Sequence, residues 1–164
     1  MSYLVDGNNV MGQRVGWHRD RVGARRRLLE DLVLFTQRKR VRMAVVFDGA
    51  PDEFFADGSS YKGVQVFYGA RGSNADERIK QMVEASRERR TLLVITSDRA
   101  LADYVRRCGA RIISAGDFQR SIAAVARDEE KITDTGRAKS VAKEEVGEWM
   151  RYFGVAPEDD QEEK

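Results

Sequence analysis

Aspartate recurs in this chain just after short apolar segments that are typical of β-strands. Segments 2–5 and 42–47 are each followed by Asp-Gly, and segment 91–95 is followed by Thr-Ser-Asp. Segment 63–67 leads into a Gly-rich turn, after which a further acid opens a helix-like segment. The four residues concerned are Asp6, Asp48, Asp76 and Asp98. Their repeated position at the ends of strands makes them the first candidates for chemistry.

The four acids predict a divalent-metal site at one edge of a sheet. In an open parallel sheet, the carboxyl ends of the strands form a common edge, and ligands bind in the crevice there. Oxygen ligands suit Mg²⁺ and Mn²⁺. Carboxylates that face one another repel and raise one another's pKa, and a cation removes that repulsion. Clustered acids at such an edge therefore favour a bound metal ion.

Each aspartate also has a purely structural interpretation. Asp6 can close an Asx turn, and Asp48 stands in an ordinary Asp-Gly turn. Asp76 and Asp98 each open a helix, where an acid interacts favourably with the helix dipole. Helical rotation of ~100° separates Asp76 from Glu77. Because Asp76 lies at the edge of the apolar face of its helix, we prefer it to Glu77 as a ligand.

Short strands alternate with longer amphipathic segments along the chain, which predicts right-handed βαβ units around a parallel sheet. The predicted strands are 2–5, 42–47, 63–67, 91–95 and 110–113. The predicted helices are 21–38, 75–88, 98–108 and 116–127. Ser73 or Asn74 is expected to cap the second helix and Ser97 the third. The expected fold is a five-stranded parallel sheet with helices on both faces.

The domain of this fold is expected to span residues 1–127. Residues 128–155 are predicted to form a linker, at 128–140, and a last amphipathic helix that packs on the domain. Residues 156–164 hold five acids and one lysine, and are predicted to be a disordered acidic tail. No apolar run approaches the ~20 residues needed to cross a bilayer. With Cys108 as the only cysteine and strand-like residues from Ser2, we expect a cytoplasmic protein.

The charge distribution fits a polyanionic partner. The chain carries a net charge of +2, and residues 156–164 contribute −4, so residues 1–155 carry +6. Arginines are frequent between residues 19 and 42, and the arginine fork suits phosphate. A solvated basic helix face is an equally good interpretation. The candidates for stacking on nucleobases are Trp17, Phe54, Phe55 and Tyr61, and each is as readily interpreted as a packing residue.

Other catalytic chemistries find little support in the sequence. His18 is the only histidine, which leaves a Ser-His-Asp triad dependent on one residue in a predicted loop. Zinc sites built from cysteine and histidine have no material here. No G-x-x-x-x-G-K-[ST] motif occurs, which argues against a P-loop.

Several blocks of the sequence resemble the NYN domain, and more narrowly its YacP-like branch within the PIN-like nuclease superfamily. The blocks are Asp6-Gly7-Asn8-Asn9-Val10, Val45-Val46-Phe47-Asp48, Asn74-Ala75-Asp76-Glu77-Arg78-Ile79, Thr96-Ser97-Asp98-Arg99 and Gly109-Ala110-Arg111-Ile112-Ile113-Ser114. They occur in the right order over about residues 1–120. Asn74 stands where threonine is usual in that branch.

The resemblance implies a three-layer α/β/α PIN-like fold and a metal-dependent endoribonuclease. It implies Asp6, Asp76 and Asp98 as ligands of Mg²⁺ or Mn²⁺, with Asp48 as a further catalytic acid. It carries over Asn8 and Ser97 as supporting polar groups. We expect RNA contacts from these two residues and from Arg99, Arg21 and Arg25.

The first hypothesis is therefore cleavage of RNA phosphodiester bonds, with mRNA on the ribosome as the expected substrate. The alternative from another class is a non-catalytic RNA- or ribosome-binding module that retains the fold. A phosphatase on a similar sheet is a third option. No membrane partner is expected, and the sequence does not reveal the oligomeric state.

Overall fold

The computed structural model describes residues 1–69 and 74–146, with side chains described up to residue 132. The strands are β1 (Ser2–Asp6), β2 (Arg42–Phe47), β3 (Ser59–Tyr61), β4 (Val64–Tyr68), β5 (Leu92–Ile95) and β6 (Arg111–Ile113). The helices are α1 (Gly7–Met11), α2 (Arg21–Lys39), α3 (Ala75–Ala85), α4 (Arg99–Arg107) and α5 (Ala115–Val146). Residues 1–125 form one compact unit, and residues 126–164 are grouped as a second.

The strands of the described residues form one sheet in the order β3-β4-β2-β1-β5-β6. Every neighbouring pair is parallel except β3 and β4, which are antiparallel. The predicted strand number of five is therefore corrected to six, because β3 lies between the predicted strands 42–47 and 63–67, where no element was expected. Its Ser-Ser-Tyr sequence is too short and too polar to carry a recognisable strand pattern.

The register of the central strands brings their ends together. Within β1, Val5 is paired with Val45 of β2 and with Ile95 of β5, and β2 ends with Phe47 opposite Tyr68 of β4. The carboxyl ends of these four strands thus lie at one edge of the sheet, which is called the carboxyl edge below. The opposite edge, where the same strands begin, is called the amino edge.

Helices cover both faces of the sheet, which confirms the three-layer α/β/α architecture. One face packs against α1, α2 and the first part of α5, through buried residues such as Leu29, Leu32 and Phe118. The other face packs against α3 and α4, through Ile79 and Leu101 among others. Strands buried on both faces need continuous apolar runs, which explains the Val- and Leu-rich segments of the sequence.

Two helical segments differ from the prediction. Helix α1 follows β1 directly, and a Cβ on its Gly7 would lie 2.5 Å from the ring of Phe47. Only glycine therefore lets this turn approach β2 so closely. Helix α5 was expected to end at residue 127, but it continues to Val146, so the segment 128–140 is helical.

The proposed division into a domain, a linker with a docking helix, and a tail stays a prediction. The side chains expected on the apolar face of the last helix, and the whole of segment 156–164, lie outside the residues whose side chains are described. Among the helices of the described residues, none combines the length and the hydropathy that a membrane span requires.

Candidate active site

Asp6 is the most deeply buried acid of the carboxyl edge. It is the last residue of β1, only 5% of it is exposed, and its Oδ2 accepts a hydrogen bond of 3.1 Å from Thr96 Oγ1. Burial raises the pKa of Asp6 to about 7, and the charges of Asp76 and Asp48 add to the rise. Hydrogen bonds from Thr96 and from the backbone of Asn9 act in the opposite direction. Asp6 is therefore a buried acid with other acids close by.

Asp76 and Asp98 approach each other from the starts of two different helices. Asp76 is half-buried in the first turn of α3, and Asn74 caps that helix through its Oδ1. Burial raises the pKa of Asp76, followed by the charge of Asp98, a hydrogen bond shared with Asp98, and the charge of Asp48. Glu77 is exposed and pairs with Lys80, so the structure places Asp76 rather than Glu77 among the acids.

The expectation that Ser97 caps α4 is wrong. The capping residue is Asp98, whose Oδ1 accepts a 3.1 Å hydrogen bond from the backbone N–H of Leu101. Ser97 Oγ instead accepts a 2.9 Å bond from the N–H of Ala115, which begins α5. Ser97 therefore holds the start of α5 beside the end of β5.

Asp48 is fixed between two loops of the carboxyl edge. Its Oδ1 accepts a 2.7 Å hydrogen bond from the N–H of Ala75, the first residue of α3. Its own N–H donates to Asn8 Oδ1 over 2.9 Å. In the same way, Asn9 Oδ1 accepts a 2.7 Å bond from the N–H of Ser97. Two neighbouring asparagines of α1 thus hold the segments that follow β2 and β5.

Two residues of this network were missed by the sequence analysis as site residues, namely Thr96 and Asn9. Thr96 is 1% exposed, and its hydroxyl accepts a 3.1 Å bond from the N–H of Asp98 while donating to Asp6. It therefore links two of the predicted ligands. A polar residue directly after the apolar β5 was the available signal for Thr96, because a buried hydroxyl needs partners. For Asn9, no signal separated its side chain from that of Asn8.

The acids fit a divalent cation by the chemistry of their donor atoms. Carboxylate oxygens are the ligands of Mg²⁺ and Mn²⁺. Burial is the main cause of the raised pKa of Asp6, and the charges of Asp76 and Asp48 add a repulsion that a cation would offset. Within the described residues, however, no three acidic, histidine or cysteine side chains are arranged so that they could hold one ion. One oxygen of Asp98 is also engaged with the α4 backbone, through the N–H of Leu101.

The predicted RNA-binding arginines differ in their surroundings. Arg25 is half-buried, and its guanidinium donates to the carbonyl oxygens of Asp48 (2.6 Å) and Ala50 (3.4 Å). It therefore holds the loop that follows β2. Arg21 is exposed, with its guanidinium carbon 5.5 Å from the ring centre of Trp17. Arg99 is exposed at the start of α4, next to Asp98.

The fold and this cluster define a class of protein. A three-layer α/β/α domain with acids gathered at the carboxyl edge of a mostly parallel sheet has the architecture of a PIN-like nuclease. Residues 3–151 match the family described as the YacP-like NYN domain. The chain belongs to the YacP-like NYN domain family, and its function is accordingly of the nuclease-like, RNA-related kind.

Solved structures agree with this assignment. The chain is similar to Rae1 (YacP) from Bacillus subtilis, with a TM-score of 0.67 and 25% sequence identity over 89% of each chain. A point mutant of the same protein gives a TM-score of 0.65, also at 25% identity, over 80% of this chain and 79% of that one. Comparison with curated proteins gives no significant match.

Proposed function

We propose that the protein is a metal-dependent endoribonuclease that cleaves RNA phosphodiester bonds. The observation that carries the proposal is the meeting of Asp6, Asp48, Asp76 and Asp98 at one edge of the sheet. Burial, and to a lesser extent the neighbouring acids, raises the pKa of Asp6 and of Asp76, and carboxylates so placed cost folding free energy. A functional role explains why a fold would retain them.

Asp6, Asp76 and Asp98 would hold one or two Mg²⁺ or Mn²⁺ ions, with Asp48 beside them. When bound, such ions supply a water nucleophile at neutral pH and offset negative charge on the phosphate oxygens. Asp48 and Asp98 each also hold a helix start through a backbone N–H, at Ala75 and Leu101. The same carboxylates therefore fix the geometry of the site and contribute to its charge.

The protein's own residues orient the substrate. Arg21 and Arg99 are exposed and would contact phosphates that flank the cleaved bond, and such contacts weaken with salt. Arg25 acts by holding the loop after Asp48. Asn8 and Ser97 keep the loops after β2 and β5, and the start of α5, in place. The net charge of +6 on residues 1–155 favours approach of a polyanion.

Messenger RNA on the ribosome is the proposed substrate, and the cytoplasm the proposed location. Family membership supports RNA as the target. The single cysteine fits a reducing compartment.

One observation favours the alternative of a non-catalytic RNA- or ribosome-binding module. Among the described residues, no three candidate ligands stand ready to hold one ion. A binding module, however, gains nothing from several acids that face phosphate.

Incubation of the purified protein with single-stranded RNA separates the two functions. The nuclease is expected to cut internal bonds in Mn²⁺ or Mg²⁺ and to stop in EDTA. Binding without cutting in every metal tested would overturn the nuclease proposal and favour the module. Hydrolysis of a small phosphoester alone would instead favour a phosphatase.

A further inference from the structure

An exposed aromatic ring, that of Phe54, lies on the loop that follows β2. Phe54 is 58% exposed, and the guanidinium carbon of Arg26 lies 4.0 Å from its ring centre. The ring and the guanidinium border a cleft of about 500 Å³, which is also lined by Phe55, Ser60 and Tyr61. The exposed ring presents apolar surface that a stacked ligand would cover.

The other aromatic candidates have structural roles instead. Phe55 and Tyr61 stack edge to face with centroids 5.2 Å apart, and both pack against the core. Trp17 also packs against the core and has Arg21 over its ring. Trp17, Phe55 and Tyr61 are partly buried, whereas Phe54 is exposed. Among these four rings, Phe54 is therefore the one with a face available to a ligand.

The turn that carries Phe54 is held firmly. The N–H of Phe54 donates to Asp52 Oδ1 over 2.8 Å, and the N–H of Phe55 donates to the carbonyl of Asp52 over 3.2 Å. The carbonyl of Phe55 accepts a 2.7 Å bond from Tyr68 Oη. A ring on a turn fixed in this way loses little conformational freedom when a ligand stacks on it.

The same turn is connected to the acidic cluster. Tyr68 ends β4 opposite Phe47, which directly precedes Asp48. Arg25, the neighbour of Arg26, donates to the carbonyl of Asp48. Arg25 and Arg26 are consecutive in α2. Arg25 thus contacts Asp48 at the start of the loop after β2, and Arg26 contacts the ring of Phe54 further along that loop. The ring therefore lies on the loop that one of the four acids begins.

We propose that Phe54 and Arg26 form a stacking subsite for an unpaired nucleobase of single-stranded RNA, on the loop that Asp48 begins. The chemistry fits this occupant, because every base has a π-face and base–aromatic stacking tolerates any sequence. The cation of Arg26, together with Lys62 beside the ring of Tyr61, favours an anionic strand.

Glu30 is the acid that lines this cleft, and it accepts a hydrogen bond from Tyr61 Oη. Two cations, Arg26 and Lys62, lie over the rings of Phe54 and Tyr61 and outnumber it. A base inside a duplex is already stacked on its neighbours and has no free face to place on Phe54, whereas an unpaired base has one. The subsite therefore selects single-stranded over double-stranded RNA, and it rests on the RNA-directed part of the function proposed above.

The test is binding of a short fluorescein-labelled single-stranded RNA in EDTA, measured by fluorescence anisotropy. Phe54→Ala is expected to weaken binding about tenfold, since loss of one base–aromatic stack costs roughly 5- to 150-fold. Phe54→Trp should retain the affinity. The weakening should be the same factor at every salt concentration, because the lost contact is uncharged.

The matched control is Tyr104→Ala, which removes a ring that pairs with Lys80 at 5.1 Å on the opposite layer. It should bind RNA like the wild type. A duplex RNA of the same length should bind Phe54→Ala and wild type equally. The subsite would be overturned by wild-type affinity in Phe54→Ala, or by an equal loss on duplex RNA or in Tyr104→Ala.

Cleavage in Mn²⁺, followed in parallel, keeps this proposal separate from the nuclease proposal. Weakened binding by Phe54→Ala without any cleavage by the wild type would sink the nuclease and leave the subsite standing. Metal-dependent cleavage by the wild type, together with unchanged RNA binding by Phe54→Ala, would overturn the subsite and leave the nuclease standing.

Discussion

The carboxyl and amino edges of the sheet differ in how their charged side chains are arranged. At the carboxyl edge, Asp6 and Asp76 are buried or half-buried near other acids, and both have a raised pKa. At the amino edge, Arg42 and Glu88 form a 3.1 Å ion pair with side chains 71% and 64% exposed. Like charges that remain together despite burial indicate a function, whereas solvated opposite charges contribute little to stability.

Cavity size alone would favour the amino edge as the functional site. A cavity of about 770 Å³ lies at the amino edge, lined by residues 84–91 together with Cys108 and Gly109. It contains none of the four acids of the carboxyl edge. We take the buried acids as the better guide, because open space alone performs no chemistry. The predictions below test this difference between the edges.

The largest expected effect is on catalysis. Asp76→Asn should reduce metal-dependent RNA cleavage by roughly 1,000-fold, because it removes a charged group from the reacting centre. Glu88→Gln makes the same chemical change at the amino edge and should cleave like the wild type. Cleavage of a labelled RNA in Mn²⁺ measures both, with thermal unfolding as the check on folding. Wild-type cleavage by Asp76→Asn would remove this residue from the site.

The second effect concerns stability and pH without metal. The Asp6 carboxyl has a pKa of 3.8 when unfolded and about 7 when folded, so the folded state binds more protons between these values. Stability should fall as pH rises from about 4 to about 7, and remain reduced above. Asp6→Asn should raise the free energy of unfolding at pH 8 by up to about 4 kcal/mol. The free energy of unfolding is measured with urea in EDTA at several pH values, for the wild type and for Asp6→Asn. Parallel pH profiles of the two proteins would contradict the prediction.

The third effect is on the stability that comes from the hydrogen bonds of Thr96 to Asp6 and Asp98. Thr96→Val removes the hydroxyl that donates to Asp6 and accepts from the N–H of Asp98. The buried groups left without a partner should cost about 1–3 kcal/mol of unfolding free energy. Thr96→Ser keeps the hydroxyl and should lose less. If both variants unfold at the same urea concentration, the hydrogen bonds are not the source of the stability.

The smallest effect is expected at the amino edge. Arg42→Ala breaks the exposed pair with Glu88 and should change the free energy of unfolding by less than about 1 kcal/mol. Urea unfolding at low and high salt provides the measurement. A loss well above this value would erase the contrast between the two edges.

Much of the fold could be predicted because burial imposes a pattern on the sequence. Strands such as β2 and β5, covered on both faces, need unbroken apolar runs. The strand β3 could not be predicted, because its Ser-Ser-Tyr residues are held by backbone pairing with β4. The continuation of α5 was missed because its polar residues beyond 127 show no apolar stripe.

The acids of the candidate site could be placed from the sequence because strand ends of a parallel sheet meet. Their supporting contacts could not. Asn8 and Asn9 are identical neighbours, yet one accepts from Asp48 and the other from Ser97, and only the three-dimensional course of α1 decides which. Arg25 looked like a phosphate ligand, but its stacking over Phe47 turns it toward the protein.

The short outer strands have a consequence for how the molecule behaves at high concentration. In the described part of the chain, the sheet ends on one side with β3 and on the other with β6, and each has only three residues. A second copy would therefore find little free backbone with which to extend the sheet. Such short edge strands hinder fibrous self-association. The interior strands can therefore keep apolar sequences that would otherwise promote it.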